Sequence, residues 1–320
     1  MKQVDLGLNL SSKRTRKREF LEEMNCVVPW AALVELISPY YPAGQLGRRP
    51  FALESMLRIH FMQQWFGLSD PAMEEALFDV PMYREFAQFD SWTSRLPDES
   101  TVLRFRHRLE KHKLAVQILA VVNEVLQGKG LLLKAGTVVD ATLINAPSST
   151  KNAKGERDPE MHQTQKGQQW YFGMKAHIGV DADSGLVHTV RGTAANVNDV
   201  TQGNGLLHGQ ETDAFGDSGY RGIAKRADAK ATVSWHVAMQ YSKRKVLNKD
   251  NAQDALTDQI ERIKGGIRAK VEHPFRVLKC QFGYVKVRYR GIKKNIAQIT
   301  TIFALSNLWM ARHQLMAGQA

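Results

Sequence analysis

Between residues 29 and 128, apolar positions recur at three- and four-residue intervals, the period of helices packed on one side. In FALESMLRIHFMQQWFG (51–67), Leu53, Met56, Leu57, His60, Phe61 and Trp65 keep that spacing, and Pro50 stands where a helix can start. Asp70-Pro71 reads as a cap followed by proline at the first helical position. Ser100 is placed to cap TVLRFRHRLEKH (101–112), and LAVQILAVVNEVLQ (114–127) follows, with Gly128 as its C-cap.

Past Gly128-Lys129-Gly130 the pattern changes to that of strands. LLLKAGTVVDATLI (131–144) is one. WYFGMKAHIGVD (170–181) and LVHTVRGTA (186–194) flank the short turn ADSG and predict a hairpin. Between the 131–144 strand and this hairpin, residues 149–168 read as a polar loop, long enough to be functional or mobile. TDAFGDSGYRG (212–222) predicts a strand and a glycine-rich turn, AKRADAK (224–230) a helix, and TVSWHVAM (232–239) a strand. A long helical stretch covers 251–279, and IAQITTIFALSNLWM (296–310) reads as a packed C-terminal helix. The expected organisation is a helical N-terminal domain over 1–130, joined to an α/β domain with a mixed sheet over 131–320.

Charge narrows the choice of partner. Lys and Arg number 44 against 32 Asp and Glu, a net charge of +12, so the chain is attracted to polyanions. Nucleic acid is the favoured partner and an anionic membrane surface the weaker alternative. No window approaches the ~18–20 apolar residues of a membrane span, and the first twenty residues lack a signal-like apolar run. Those twenty read as a basic, solvated arm containing KRTRKR (13–18). The two cysteines, Cys26 and Cys280, have no CxxC or Cys/His neighbours; this excludes a disulfide framework and a zinc ribbon and suits the cytoplasm. On the helix around residue 105, Val102, Phe105 and Leu109 share one face while Arg104, Arg108 and Lys111 share the opposite one. That basic stripe fits either a DNA-contacting helix or a solvated surface.

Three acids carry candidate chemistry. Asp140 lies inside an apolar, β-branched run, where an ionised carboxylate costs several kcal/mol unless a cation meets it. Asp217, in GDSGYRG, has the alternative of a turn-forming aspartate. Glu272, in RAKVEHPF, has that of a solvated helix charge. Arg268 lies four residues before Glu272 and Lys279 seven after, all within about 40° on a helical wheel. Glu261 shares that face but sits ~16 Å along the axis, too far to join a metal site, and reads as a free charge. Pro274 predicts a kink or an end just past Glu272.

These segments together resemble the DDE transposases of bacterial insertion sequences, most closely the insertion sequence five family. The resemblance rests on VVDATLINAP, GMKAHIGVDADSGLVHTV, GDSGYRG and IRAKVEHPFRVLKCQFGYVKVRYRGIKKN, and it covers nearly the whole chain. It implies an RNase H-like catalytic domain, preceded by DNA-binding helices, with Asp140, Asp217 and Glu272 as catalytic acids and metal ligands. Of the family's Tyr, Arg, Glu, Lys signature, Arg268, Glu272 and Lys279 are in place, and Gly265 stands at the tyrosine position. An oxygen-only ligand set selects Mg²⁺ or Mn²⁺, with two ions expected. The implied activity is cleavage of double-stranded DNA at element ends and transfer into target DNA, by a homo-oligomer that brings two ends together. A nuclease or resolvase of the same fold, and an inactive DNA-binding regulator, are the alternatives. His177, Asp181, His188, Asn196 and Asp199 are read as hairpin or loop residues, with support of the acids from behind as the alternative.

Overall fold

The computed structural model describes residues 14–42, 49–89, 94–133, 135–153, 155–248 and 250–318. The chain opens with α1 (Arg16–Val27), α2 (Trp30–Ile37), α3 (Leu53–Phe66), α4 (Asp70–Asp79), α5 (Pro81–Phe86), α6 (Glu99–Lys111) and α7 (Leu114–Gly128). Then come β1 (Gly136–Asn145), β2 (His162–Lys166), β3 (Gln169–Asp181), β4 (Val187–Ala194), α8 (Val200–Gly203), β5 (Asp213–Gly216) and β6 (Ser234–Val237). The remainder is α9 (Tyr241–Lys245), α10 (Ala252–Arg268), α11 (Glu272–Arg276) and α12 (Ile292–Ala317).

The described strands form one mixed sheet. β1 and β4 both pair antiparallel with β3, while β5 lies parallel to β1 and β6 parallel to β5. Antiparallel strands followed by parallel ones, with helices on the faces, make the RNase H-like arrangement that the resemblance implies. One face of β1 and β3 buries Val138, Ile144, Met174, Ala176, Ile178 and Val180 in an apolar core. That core continues without a break into α12, α7 and the N-terminal helices. No helix among the described residues is long and apolar enough to cross a membrane.

At the centre of the helical layer α3 is buried all round, not only along its apolar stripe. Its polar side chains therefore find partners inside: Arg58 meets Glu54 at 2.7 Å and Asn25 at 2.7 Å. Gln63 donates to Asp70 at 2.9 Å, and Gln298 of α12 donates to Gln64 at 3.0 Å.

Several local expectations are corrected. Ser69, not Asp70, caps α4, and Asp98, not Ser100, caps α6 by accepting from the Thr101 N–H at 2.7 Å. A cap needs extended backbone, which Ser69 (ψ 170°) and Asp98 (ψ 168°) have, whereas Asp70 and Ser100 are already helical. α3 starts at Leu53, three residues past Pro50. Residues 16–20 of the expected basic arm belong to α1, capped by Thr15, and residues 1–13 lie outside the described residues. The loop expected over 149–168 contains β2, paired to β3 from His162↔Gly173 to Lys166↔Gln169. AKRADAK forms only a 3₁₀ turn ending at Lys225. α10 runs through Gly265-Gly266, and winding continues to Gln281 as 3₁₀, α and then π turns. These changes of pitch accommodate the N–H missing at Pro274, so the chain neither breaks nor leaves the helical path there.

Candidate active site

The parallel register of β5 on β1, with Val138 opposite Phe215, carries the chain end of β5 alongside Asp140. Asp217 follows directly after that strand. The helical run from α10 to α11 brings Arg268 and Glu272 over the same edge. All four line one open cleft of about 890 Å³, together with Lys166, Lys175, Asp199, Arg276 and Lys279.

No ion pair reaches Asp140 among the described residues, and its carboxylate accepts only from the Ala141 N–H, at 2.7 Å. Burial pushes its pKa up to about 7; the Ala141 bond opposes the shift, Asp217 and Glu272 add to it, and Arg268 lowers it. Asp217 and Glu272 are thus within electrostatic reach of Asp140. Asp217 also has the turn role expected of an aspartate beside glycine, accepting from the Gly219 N–H at 2.8 Å. Glu272 is exposed on α11. Lys279 is half-buried, and burial, then the neighbouring Lys166, lowers its pKa against the pull of Glu272.

The carboxylates share a cleft rather than a finished cage. Among the described residues, no three His, Cys, Asp or Glu side chains stand close enough to hold a metal ion as they are. The donor chemistry nevertheless fits a hard divalent cation: the acids offer only oxygen, and their repulsion on the half-buried Asp140 is what a dication relieves.

The basic stripe of α6 lies apart from this cleft. Arg104 and Lys111 are exposed, and Arg108 lies 5.7 Å from the ring of Tyr41. Glu261, expected to be a free charge, is buried; it accepts from the Met239 N–H at 2.8 Å and pairs with Lys264 at 2.8 Å. It anchors α10 to the chain after β6.

The sequence reading passed over Lys175 and took Asp199 for a loop residue; the two pair at 2.9 Å on the cleft wall. Nothing in the spacing of residues 175 and 199 signals their meeting. It also passed over Tyr220, whose buried hydroxyl has no hydrogen-bond partner among the described residues and whose pKa is raised by burial and by Asp140, Asp199 and Asp217. The other polar candidates have structural surroundings. His177 is fully buried with its Nε2 2.8 Å from the Thr193 hydroxyl, and burial lowers its pKa to about 4. Asp181 caps the hairpin turn through Ser184, His188 lies 3.1 Å from the Thr137 hydroxyl, and Asn196 is exposed.

Comparison with known proteins gives the family. The model described as the transposase DDE domain matches residues 132–308, and one described as a transposase domain, DUF772, matches residues 8–108. The cryo-EM structure of the piggyBac transposase synaptic complex with hairpin DNA is similar at 11% identity, with a TM-score of 0.43, over 93% of this chain and 73% of that one. The first match covers more than half of the chain, and the chain belongs to the transposase DDE domain family: it is a DNA transposase of a family that uses divalent cations.

Proposed function

From that membership we propose that Asp140, Asp217 and Glu272 are the catalytic acids of this transposase and hold two Mg²⁺ or Mn²⁺ ions. The observation that carries the reading is the convergence of three acids from distant chain positions on one cleft, where two of them raise the pKa of the third. Bound divalent ions supply activation of water or a 3′-hydroxyl and charge relief at the leaving oxygen.

The chain's own residues do the rest. Asp140, whose pKa burial raises to about 7, would hold an ion in its ionised form, with Asp217 and Glu272 beside it. Asp217 keeps its turn in place through Gly219 while presenting its second oxygen to the cleft. Arg268 and Lys279, lining the same cleft, hold DNA phosphates beside the acids. Arg104, Arg108 and Lys111 on α6 contact the backbone of the element end. Residues 1–130 then serve as the end-binding domain and 131–320 as the catalytic one. A homo-oligomer brings two ends together, in the cytoplasm, and the insertion sequence five family is the nearest group.

Asp217→Asn tests the assignment, because asparagine retains the turn bond to Gly219 and loses only the charge. Nicking of a plasmid carrying the element ends should disappear while end binding and melting temperature persist. Near-normal nicking by this variant would reduce Asp217 to a turn residue, and parent activity in excess chelator would overturn the metal assignment.

A further inference from the structure

A second groove, of about 530 Å³, lies between the α6–α7 turn and the first turn of α12, and none of its lining residues lines the acid cleft. Its rim carries Lys111 and Lys113 from one side and Lys293 and Lys294 from the other, four exposed side chains brought together from about 180 residues apart in the chain. Its floor is apolar, with Val116, 63% exposed, beside Ile296.

We propose that this groove is a DNA-backbone site, distinct from the acid cleft, which holds duplex DNA away from the point of chemistry. The inference rests on the reading of the chain as a DNA transposase and locates a surface for its substrate.

Charge is the first argument. None of the four ammonium groups has an ion-pair partner among the described residues, so all four are free to meet phosphates. The one carboxylate at the rim, Glu110, is turned toward Arg106 at 3.7 Å, with its side chain only 15% exposed. Arg104 and Arg108 extend the positive surface along α6, as a polymer of phosphates requires and a single small anion does not.

The backbone is the second argument. Lys113 joins α6 to α7 at φ 53° and ψ 35°, the left-handed region in which glycine would sit with less strain. A lysine at such a strained position points to use of its side chain. The apolar floor suits deoxyribose carbons between successive phosphates on the rim.

The test is binding of a short duplex of arbitrary sequence, followed by fluorescence anisotropy over a salt series. Three proteins are compared: the parent, Lys293→Ala with Lys294→Ala, and a control, Lys225→Ala with Lys230→Ala, two exposed lysines of the β5–β6 connection. Each lost phosphate contact should remove about 0.9 from the log–log salt slope, so the groove pair should lower it by about 2. The control pair should leave it near the parent value. Nicking at saturating DNA should survive in both variants, as neither pair lines the acid cleft.

An unchanged slope in the groove pair, or an equal fall in the control pair, would overturn the proposal and leave the groove to another occupant, such as an acidic peptide. A parent that binds no duplex would overturn it together with the DNA reading on which it rests. Loss of nicking in a variant that still binds with the parent slope would also sink it.

Discussion

The seam around Asn307 and the acid cleft are both polar regions inside the same molecule, yet they treat their polar groups in opposite ways. In the seam, Asn307 on α12 accepts from the Val187 N–H at 2.8 Å and donates to the Val187 carbonyl at 2.7 Å and to Asn123 at 2.9 Å. Asn123 on α7 donates to the same carbonyl at 3.1 Å. Two buried amides thereby close the edge of β4 and tie α7, α12 and the sheet into one unit. Buried polar groups kept for structure are paired where they stand.

In the cleft, among the described residues, Asp140 accepts a single bond from its own neighbour while two further acids act on it, and the buried Tyr220 hydroxyl, within their electrostatic reach, is unpartnered. Such an arrangement costs stability and persists where a ligand completes it. The contrast separates residues whose loss should cost folding from residues whose loss should cost chemistry.

The largest expected effect is in the cleft. Glu272→Gln should reduce cleavage and strand transfer by about a thousandfold or more, a loss of roughly 4 kcal/mol in transition-state stabilisation, while the melting temperature stays near the parent's. Glu124→Gln on α7 makes the same charge change at an exposed position and should remain within a few-fold of the parent. Glu261→Gln is no neutral control, because it disturbs the bonds to Met239 and Lys264 and should lower the melting temperature. Equal losses of cleavage in the Glu272 and Glu124 variants would remove Glu272 from the site.

Next comes the seam. Asn307→Leu strands the N–H and carbonyl partners around Val187 in a dry interior and should cost about 2–4 kcal/mol in urea unfolding. Cleavage per folded molecule should persist. An unchanged midpoint would break the comparison from the structural side.

A smaller effect is set by pH. Because the folded-state pKa of Asp140 is raised from 3.8 to about 7, the folded protein holds a proton there that the unfolded chain has released. Stability from this group is present at low pH and is lost as pH rises through about 7. In chelator, Asp140→Asn should therefore melt above the parent at pH near 8, with the gain shrinking as pH falls toward 3.8. Added Mg²⁺ should raise the parent's melting temperature and leave that of the variant nearly unmoved. A pH-independent difference would mean that the buried charge is not what the variant removes.

The smallest effect tests the position where the family has tyrosine. Gly265 lies inside α10, and an added Cβ there would meet nothing within 4 Å. Gly265→Ala should stabilise the fold by roughly 0.5–1 kcal/mol through helix propensity alone. Destabilisation would show that the glycine serves the winding of this helix.

Legibility in the sequence followed burial. The change of period at Gly128–Gly130, the hairpin across ADSG and the strand preceding Asp217 stood out because short apolar runs there are bounded by turn residues. β2 gave no such signal, since most of its residues are exposed on both faces and its pairing depends wholly on β3. The capping residues were misplaced because adjacent side chains, Ser69 beside Asp70 and Asp98 near Ser100, have equal capping chemistry, and only the backbone angle chooses between them. The anchoring role of Glu261 was hidden because, beside Lys264 three residues on, its other partner is a backbone N–H more than twenty residues earlier, invisible to a helical wheel.

By itself, then, the sequence determined the succession of helices and strands, the basic charge, and which acids stand in segments shared with the DDE transposases. These are properties of composition, local period and motif, carried by residues close together along the chain. Tertiary structure alone decided that Asp140, Asp217 and Glu272 open on one cleft, that Lys175 meets Asp199 there, and that Lys111 and Lys113 face Lys293 and Lys294 across a groove. Such meetings depend on strand register and on how α12 packs back against α7 and β4, and neither leaves a mark on the local pattern of side chains.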